Sequence, residues 1–364
     1  MPRVKLSGTE KGLPNQAFHC KLAAMHSNMA DRIDALCRRQ CAFALYCLPG
    51  EAEPVFCMAE DGRTEDDPIF KNGFVLATFD GSNLFIPDEL TAPPAPESWD
   101  EMEHIPHEIA TSREKYASLF QLYTGFIRSG KVRKIVLART ADAETGTDFS
   151  VYRAFRAACE QNPNAFKALV HTPQHGTWIF CTPEQLVTGS GDCWHTMALA
   201  GTRLPNLLPW DAKNKREQAL VADFVREILT PRADELEESP LENLRAGRIE
   251  HLCTRFSWKM PPGRLLLLLE QLPPTPAVCG SPVAEARALL QQYPDIDRSC
   301  YAGYLGPWGN GSVQLYVSLR CMQIFPGFCR LYAGGGIMPD SDEEQEWQET
   351  ENKMACMRQA MEGA

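Results

Sequence analysis

The chain has 364 residues, 44% of them hydrophobic and 23% charged, and a net charge of −11. Such a length and composition fit one large folded domain or two ordinary ones with a sizeable core. The acidic balance leaves no basic patch to neutralise phosphates, which argues against a nucleic-acid partner or an anionic membrane surface; a small anionic substrate needs only a few local cations or a metal.

The opening MPRVKLSGTEKGLPNQAFHC has no apolar core of a secretory signal. The longest aliphatic run is the five leucines Leu265–Leu269, far short of the ~20 residues of a membrane span. The fourteen cysteines form no paired C-x-x-C clusters, and most sit singly in apolar segments such as CAFALYC and VFC. The expectation is buried free thiols in a reducing cytoplasm rather than a disulfide framework. Cys37 and Cys41 share a helix face if CRRQC is helical, but no matching Cys/His pair lies near them to complete a zinc site.

No short-period repeat is evident. Residues 1 to about 88 alternate helix-like and strand-like pieces and end in GFVLATF and NLFIP. Residues 89–110, rich in proline and acid, read as a connector. An amphipathic helix follows through SREKYASLFQLYTGFIRSG, with Tyr116, Leu119, Phe120, Tyr123 and Ile127 at helical spacing and Gly130 as its stop. KIVLART is a buried strand. Next come a helix (FSVYRAFRAACEQ), a strand pair (AFKALVHT, GTWIFC), a turn carrying Glu184, and MALAGTRLP, a strand running into a glycine corner. WDAKNKREQALVADFVREILTPRADEL predicts a long helix, RIEHLCTRFSW a strand, PPGRLLLLLEQL a helix, and the residues after Pro282 a further helix. YAGYLGPW makes a hairpin into SVQLYVSLRCMQIF, CRLYAGGGI follows, and a last helix starts near Glu343. Paired strands separated by helices favour an α+β fold with antiparallel sheets.

Some of these residues suit chemistry, each beside a plainer reading. In the last helix Glu346 and Glu349 are three apart, and Glu349 and Lys353 four apart. They share one face, either a solvated salt-bridging face or carboxylates able to hold Mg²⁺, a hard cation that prefers oxygen. Arg320, in the strand VQLYVSLRCMQI, belongs to a polar outer face or aims at a carboxylate. Gly334–Gly336 let backbone approach an anion and donate N–H groups to it. Lys134, opening KIVLART, either snorkels to water or, if desolvated, acts as a base. Glu184 follows a proline on a turn and Glu217 sits in a helix; both read alone as surface charges, and His251 as a core histidine.

The series KIVLART, TPEQL, ALAGTRLP, KREQALV, EHL, PPTPAVCGSP, YAGYLG, VSLRC, YAGGGI and EWQETENK strongly resembles the chorismate-utilising enzymes, in that family's order, over about residues 112–360. Residues 1–110 match only weakly and would be the N-terminal half of the fold, with 111–364 the chorismate-binding region and one structural domain overall. The resemblance implies a single large α+β domain of packed, largely antiparallel sheets flanked by helices. It also implies displacement on chorismate: a nucleophile adds at C2 as the C4 hydroxyl leaves, with Mg²⁺ on the ring carboxylate.

Within that family, Lys134 stands where ammonia-using members typically carry glutamine, which is similar to the branch that activates water. Ala200 replaces the lysine of the aminodeoxychorismate synthases, and PTPAV with YAG and VSLR looks like the menaquinone-pathway isochorismate synthases. By resemblance, Lys134 is the general base and Glu184 the general acid. Glu217 and Glu349 ligate Mg²⁺, with Glu346 nearby through a water. His251, Ala277, Tyr301, Arg320, Gly334 and Lys353 hold the substrate. No amidotransferase subunit is implied, and the expected state is a cytoplasmic monomer or weak homo-oligomer. A lyase releasing salicylate and pyruvate, or a homologue that binds chorismate without turnover, are the alternatives; menaquinone and siderophore pathways both stay open. One departure is Pro273, in LPPTPA, where the family often has histidine.

Overall fold

The computed structural model describes residues 29–39, 41–65, 71–94, 109–205, 209–309 and 311–364. Most of the connector expected at 89–110 falls on residues 95–108, outside the described residues. Two antiparallel sheets dominate the described chain. The first has eight strands, ordered β13-β5-β17-β16-β7-β6-β1-β2. These are β13 (Gly280–Ser281), β5 (Lys134–Glu144), β17 (Phe328–Ile337), β16 (Cys321–Phe325), β7 (Gly176–Thr182), β6 (Phe166–Thr172), β1 (Phe43–Cys47) and β2 (Val55–Met58). The second sheet has nine strands. In order they are β10 (Glu235–Glu238), β12 (Ile249–Lys259), β9 (Cys193–Arg203), β8 (Gln185–Ser190), β15 (Ser312–Val317), β14 (Tyr304–Gly309), β3 (Gly73–Ala77) and β4 (Asn83–Pro87), with β11 (Glu242–Ala246) also paired to β12. Strands from residues 43–87 therefore complete one edge of each sheet.

The sheets face each other across the main core. Phe166 of the first stacks on Tyr316 of the second at 4.2 Å between ring centroids, and Phe74 lies on Phe166 at 6.5 Å. Trp178 and Phe180 from one side meet Val187, Ala198, Leu305 and Leu315 from the other. Strands with apolar neighbours on both faces read as continuous hydrophobic runs, which is why KIVLA and FVLAT stood out. Helices cover the outer face of the first sheet. Helix α1 (Arg113–Arg128) buries Tyr116, Phe120, Tyr123 and Ile127, the stripe its periodicity predicted, and Ser112 caps it by accepting from Lys115 N. Helix α2 (Val151–Gln161) and the last helix, α6 (Glu343–Glu362), pack on the same sheet through Phe155, Ala158, Met354, Met357 and Ala360. Helix α3 (Ala212–Leu229) lies against β9 and β12. PPGRLLLLLEQL is not one helix: it is a 3-10 turn, Pro262–Arg264, and the five-residue α4, Leu265–Leu269. Helix α5 (Val283–Gln292) follows.

Other expectations change as well. CRRQC is not helical through both cysteines, because the helix ends at Leu36. SVQLYVSLRCMQIF is not one strand. Its first part is β15 in the second sheet and its last part β16 in the first, and the chain crosses between the sheets at Ser318–Arg320. Arg320 makes that crossing at φ 46, a left-handed conformation seldom taken by a residue with a side chain. AGGGI lies mid-strand: Gly334, Gly335 and Gly336 pair with Ala138, Leu137 and Val136. All described cysteines are free, and most are buried.

Candidate active site

Why three glycines stand in a strand follows from what faces them. A Cβ on Gly336 would sit 2.2 Å from Glu217 Oε1 and 2.5 Å from Lys134 Cε. One on Gly334 would sit 2.8 Å from the Tyr301 hydroxyl, and one on Gly335 would sit 2.9 Å from Glu346 Oε2. The glycines let charged side chains from both faces close on β17. They also leave backbone free. Val136 N donates to Cys279 O at 2.9 Å and Ala138 N to Asp295 Oδ2 at 2.8 Å, so neither N–H is spent on β17. In an antiparallel ladder their partners then turn their own N–H and C=O groups away from β5. The pairing with β16 stops at Tyr332, so Gly334 and Gly336 present these groups to the site. Gly334 O accepts from Lys353 Nζ at 2.8 Å.

A cavity forms there, walled by Glu184, Glu217, His251, Ala277, Tyr301, Arg320, Gly334, Glu349 and Lys353 together with Gly201, Thr202 and Gly336. Nine of the eleven residues singled out from the sequence line it. Lys134 and Glu346 do not: Lys134 stands behind Glu217 and Gly336, and Glu346 pairs with Lys213, which also lies outside the wall. Lys134 is fully buried, its Nζ 2.9 Å from Glu217 Oε1, yet that nitrogen makes no aligned hydrogen bond among the described residues. Pro273 is not part of the wall. The cavity measures about 70 Å³, well under the ~300–1,000 Å³ of typical ligand sites. The polar contacts closing it must therefore open for a ring-sized ligand to enter.

Glu184 is placed by backbone: its C=O accepts from Val317 N at 3.0 Å, and its own N–H donates to Thr182 Oγ1 at 3.2 Å. The side chain is 2% exposed, and Oε1 has no partner among the described residues. Burial pushes its carboxyl up to about 8, with Lys134, Lys353 and Arg320 pulling part of the way back. At neutral pH it carries a proton, the state a general acid needs. His251 is fixed differently. Nδ1 lies 2.8 Å from Gly201 O and Nε2 lies 2.6 Å from Arg320 Nη2. Burial and then the Arg320 charge push His251 down to about 3. The ring is neutral, with its proton on Nδ1 toward the carbonyl and Nε2 accepting from the guanidinium. Arg320 spends its other arm on Ala246 O at 3.0 Å.

Three carboxylates converge on the sheet's end, each held by a lysine: Glu217 by Lys134, Glu346 by Lys213, and Glu349 by Lys353 at 2.8 Å. Burial pushes Glu349 up, but Lys353 and Lys213 outweigh it and hold the carboxyl below its ordinary value. Burial and then Glu349 push Glu346 up. Glu346 Oε2 has no partner among the described residues. Hard oxygen donors with an unpaired buried oxygen suit Mg²⁺. No group of three His, Cys, Asp or Glu is close enough to hold a metal as it stands among the described residues.

Sequence reasoning missed Lys213, although it lies one turn before Glu217 on the same helix. It also missed Asp295 and Arg298, whose DIDRSCY context gives no periodic signal. Arg298 donates to Asp295 Oδ2 at 2.6 Å, to Val278 O at 2.8 Å and to Val136 O at 2.8 Å. It ties the PTPAV segment, which carries Ala277, to the strand that carries Lys134.

The chain matches the family described as chorismate binding enzyme over residues 88–362, and it belongs to that family. The match starts before residue 112, where the motifs begin. Relatives include the isochorismate synthase MenF of Escherichia coli (strain K12), 31% identical over 268 residues, 69% of this chain and 62% of that protein. A salicylate biosynthesis isochorismate synthase of Pseudomonas aeruginosa is 33% identical over 250 residues, 65% of this chain and 52% of that protein. The chain thus spans less than two thirds of the length of these curated relatives. The solved structure of MenF, the menaquinone-specific isochorismate synthase from Escherichia coli, matches with a TM-score of 0.73 at 24% identity, over 90% of this chain and 91% of that one. Anthranilate synthase component I from Streptococcus pneumoniae matches with a TM-score of 0.62 at 18% identity, over 86% of this chain and 89% of that one. At these identities the structural likeness concerns the fold. Among the described residues no helix is long and apolar enough to cross a membrane.

One consequence is local. Gly336→Ala forces apart the free ends of two flexible side chains, not backbone. The fold is expected to survive, with Tm near wild type, while turnover falls about 10²-fold through displacement of Lys134 and Glu217. Thermal melts beside steady-state rates check this; equal loss of both would mean the glycine serves only packing.

Proposed function

We propose that the chain is an isochorismate synthase. It converts chorismate to isochorismate by adding water at C2 while the C4 hydroxyl leaves. The observation that carries this reading is Glu184, a buried glutamate that keeps its proton at neutral pH and has an unpartnered oxygen at the cavity wall. Glu184 gives its proton to the departing C4 hydroxyl, which leaves as water. Lys134, as the amine, takes a proton from the water that attacks C2. One water enters and one leaves, so substrate and product are isomers, and the two side chains reset by proton exchange with solvent. Each proton transfer supplies about 10²–10⁴-fold.

Arg320, Tyr301, Lys353 and Gly334 N–H bind the substrate's pyruvyl arm and its carboxylate. Ala277 and His251 flank the ring. Glu217 and Glu349, with Glu346 through a water, would hold Mg²⁺. When bound, this ion neutralises the ring carboxylate, which must otherwise be desolvated among glutamates. The reading needs no amidotransferase partner. It takes the chain as one structural domain, a monomer or weak homo-oligomer working in the cytoplasm. The test is incubation with chorismate and Mg²⁺, with and without ammonium, products separated by chromatography. Isochorismate in both supports the proposal. Salicylate with pyruvate would move the chain to the lyases, an aminated product to the ammonia-using branch, and bound but unchanged chorismate would remove the catalytic claim.

A further inference from the structure

We infer that Lys213 is the built-in cation of the carboxylate seat and that a divalent cation enters by displacing it. This rests on the metal part of the proposed function and adds a positioning residue to it. The Lys213 ammonium is ion-paired with Glu346 Oε1, the side chains being 18% and 1% exposed. The same oxygen accepts from Ser341 Oγ at 2.7 Å, while Oε2 of that carboxylate has no partner among the described residues. Lys213 and Glu217 lie one turn apart on α3, and Glu346 and Glu349 one turn apart on α6, so the two helices bring three carboxylates toward one ammonium.

The other two lysines are committed elsewhere. Lys134 lies on the far side of Glu217 beside Gly336, and Lys353 shares its ammonium with Gly334 O. Lys213 is thus the cation set among the carboxylates themselves. Three buried carboxylates need positive charge close by, and an ammonium supplies it when no metal is present. A divalent cation on the same oxygens would meet a like charge within a few ångströms, which in a buried site is strongly unfavourable. Metal entry therefore requires the Lys213 side chain to swing out. The lysine weakens metal binding and keeps the seat ordered without it.

The test measures Mg²⁺ affinity by titration calorimetry on the full chain without substrate, for wild type, Lys213→Met and Lys213→Arg. Lys213→Met is expected to bind Mg²⁺ at least about tenfold more tightly than wild type, and Lys213→Arg no more tightly than wild type. Should Lys213→Met melt early in chelator, its Tm is expected to rise with Mg²⁺ by more than the wild-type Tm, which gives the same readout. Wild type that binds Mg²⁺ while Lys213→Met binds it equally or more weakly would overturn the inference and leave the metal reading intact. If no form binds Mg²⁺ even with chorismate present, the metal reading fails and the inference falls with it.

Discussion

Lys134→Ala is expected to lower kcat by about 10²–10⁴-fold, while the protein still folds and binds chorismate. Water is a poor nucleophile, and the proposed chemistry asks one buried amine to activate it. Lys134 is the only candidate base the resemblance supplies at that point, and it is fully buried beside Glu217. The alanine variant alone does not separate two roles, because it also strips Glu217 of its ion-pair partner, and an unpaired buried charge is costly in itself. Lys134→Arg makes the separation. A guanidinium keeps the positive charge next to Glu217 but does not give up its proton in a protein. Arginine is therefore expected to restore thermal stability without restoring turnover. Rates near wild type in Lys134→Arg would show that the lysine contributes charge and not proton transfer.

The second large effect concerns Glu184 and has a pH signature. Its carboxyl, held at about 8 by burial against the ordinary 4.5, must be protonated to act as the acid. Wild-type kcat is expected to fall as pH rises through about 8. Glu184→Gln keeps the shape but has no proton to give, so turnover should drop by about 10²–10⁴-fold at every pH, and that alkaline limb should vanish. The same titration acts on stability. The folded carboxyl holds its proton more tightly than the unfolded one, so its contribution to stability is fully present below about 4.5 and is lost as pH rises through about 8. Glutamine carries no such dependence. The Tm of Glu184→Gln relative to wild type should rise steadily across that window. A substitution that removes turnover while raising relative stability marks a group kept for chemistry rather than for the fold. An unchanged pH–rate profile in the variant would remove Glu184 from the acid's role.

How much of this was legible in the sequence depends on the kind of information involved. The stripe of α1, the buried strand KIVLART and the last helix announce themselves by periodicity, and the structure places them where the spacing put them. Nine candidate residues meet at one cavity because an ordered set of motifs, not any single residue, pointed to them. What stayed hidden was set by topology. VSLRC alternates like a strand, but its chain leaves one sheet for the other, and only the crossing explains a left-handed Arg320. Three consecutive glycines look like a flexible corner. They are a strand thinned so that Glu217, Lys134, Tyr301 and Glu346 can approach. Glu217 looked like a surface charge on a helix until that helix proved to lie against the site. Lys213 escaped notice because its partner, Glu346, is more than a hundred residues away, and sequence spacing reports only neighbours along one element.

The central claim is that water, activated within this site, attacks C2. The most direct measurement is turnover of chorismate with Mg²⁺ in H₂¹⁸O, with the isochorismate isolated and analysed by mass spectrometry. The product is expected to carry one ¹⁸O atom per molecule, at the C2 hydroxyl, and the Lys134→Ala variant is expected to form it about 10²–10⁴-fold more slowly. Isochorismate without the label would mean that the original hydroxyl is returned to the ring, and water activation by Lys134 would be contradicted.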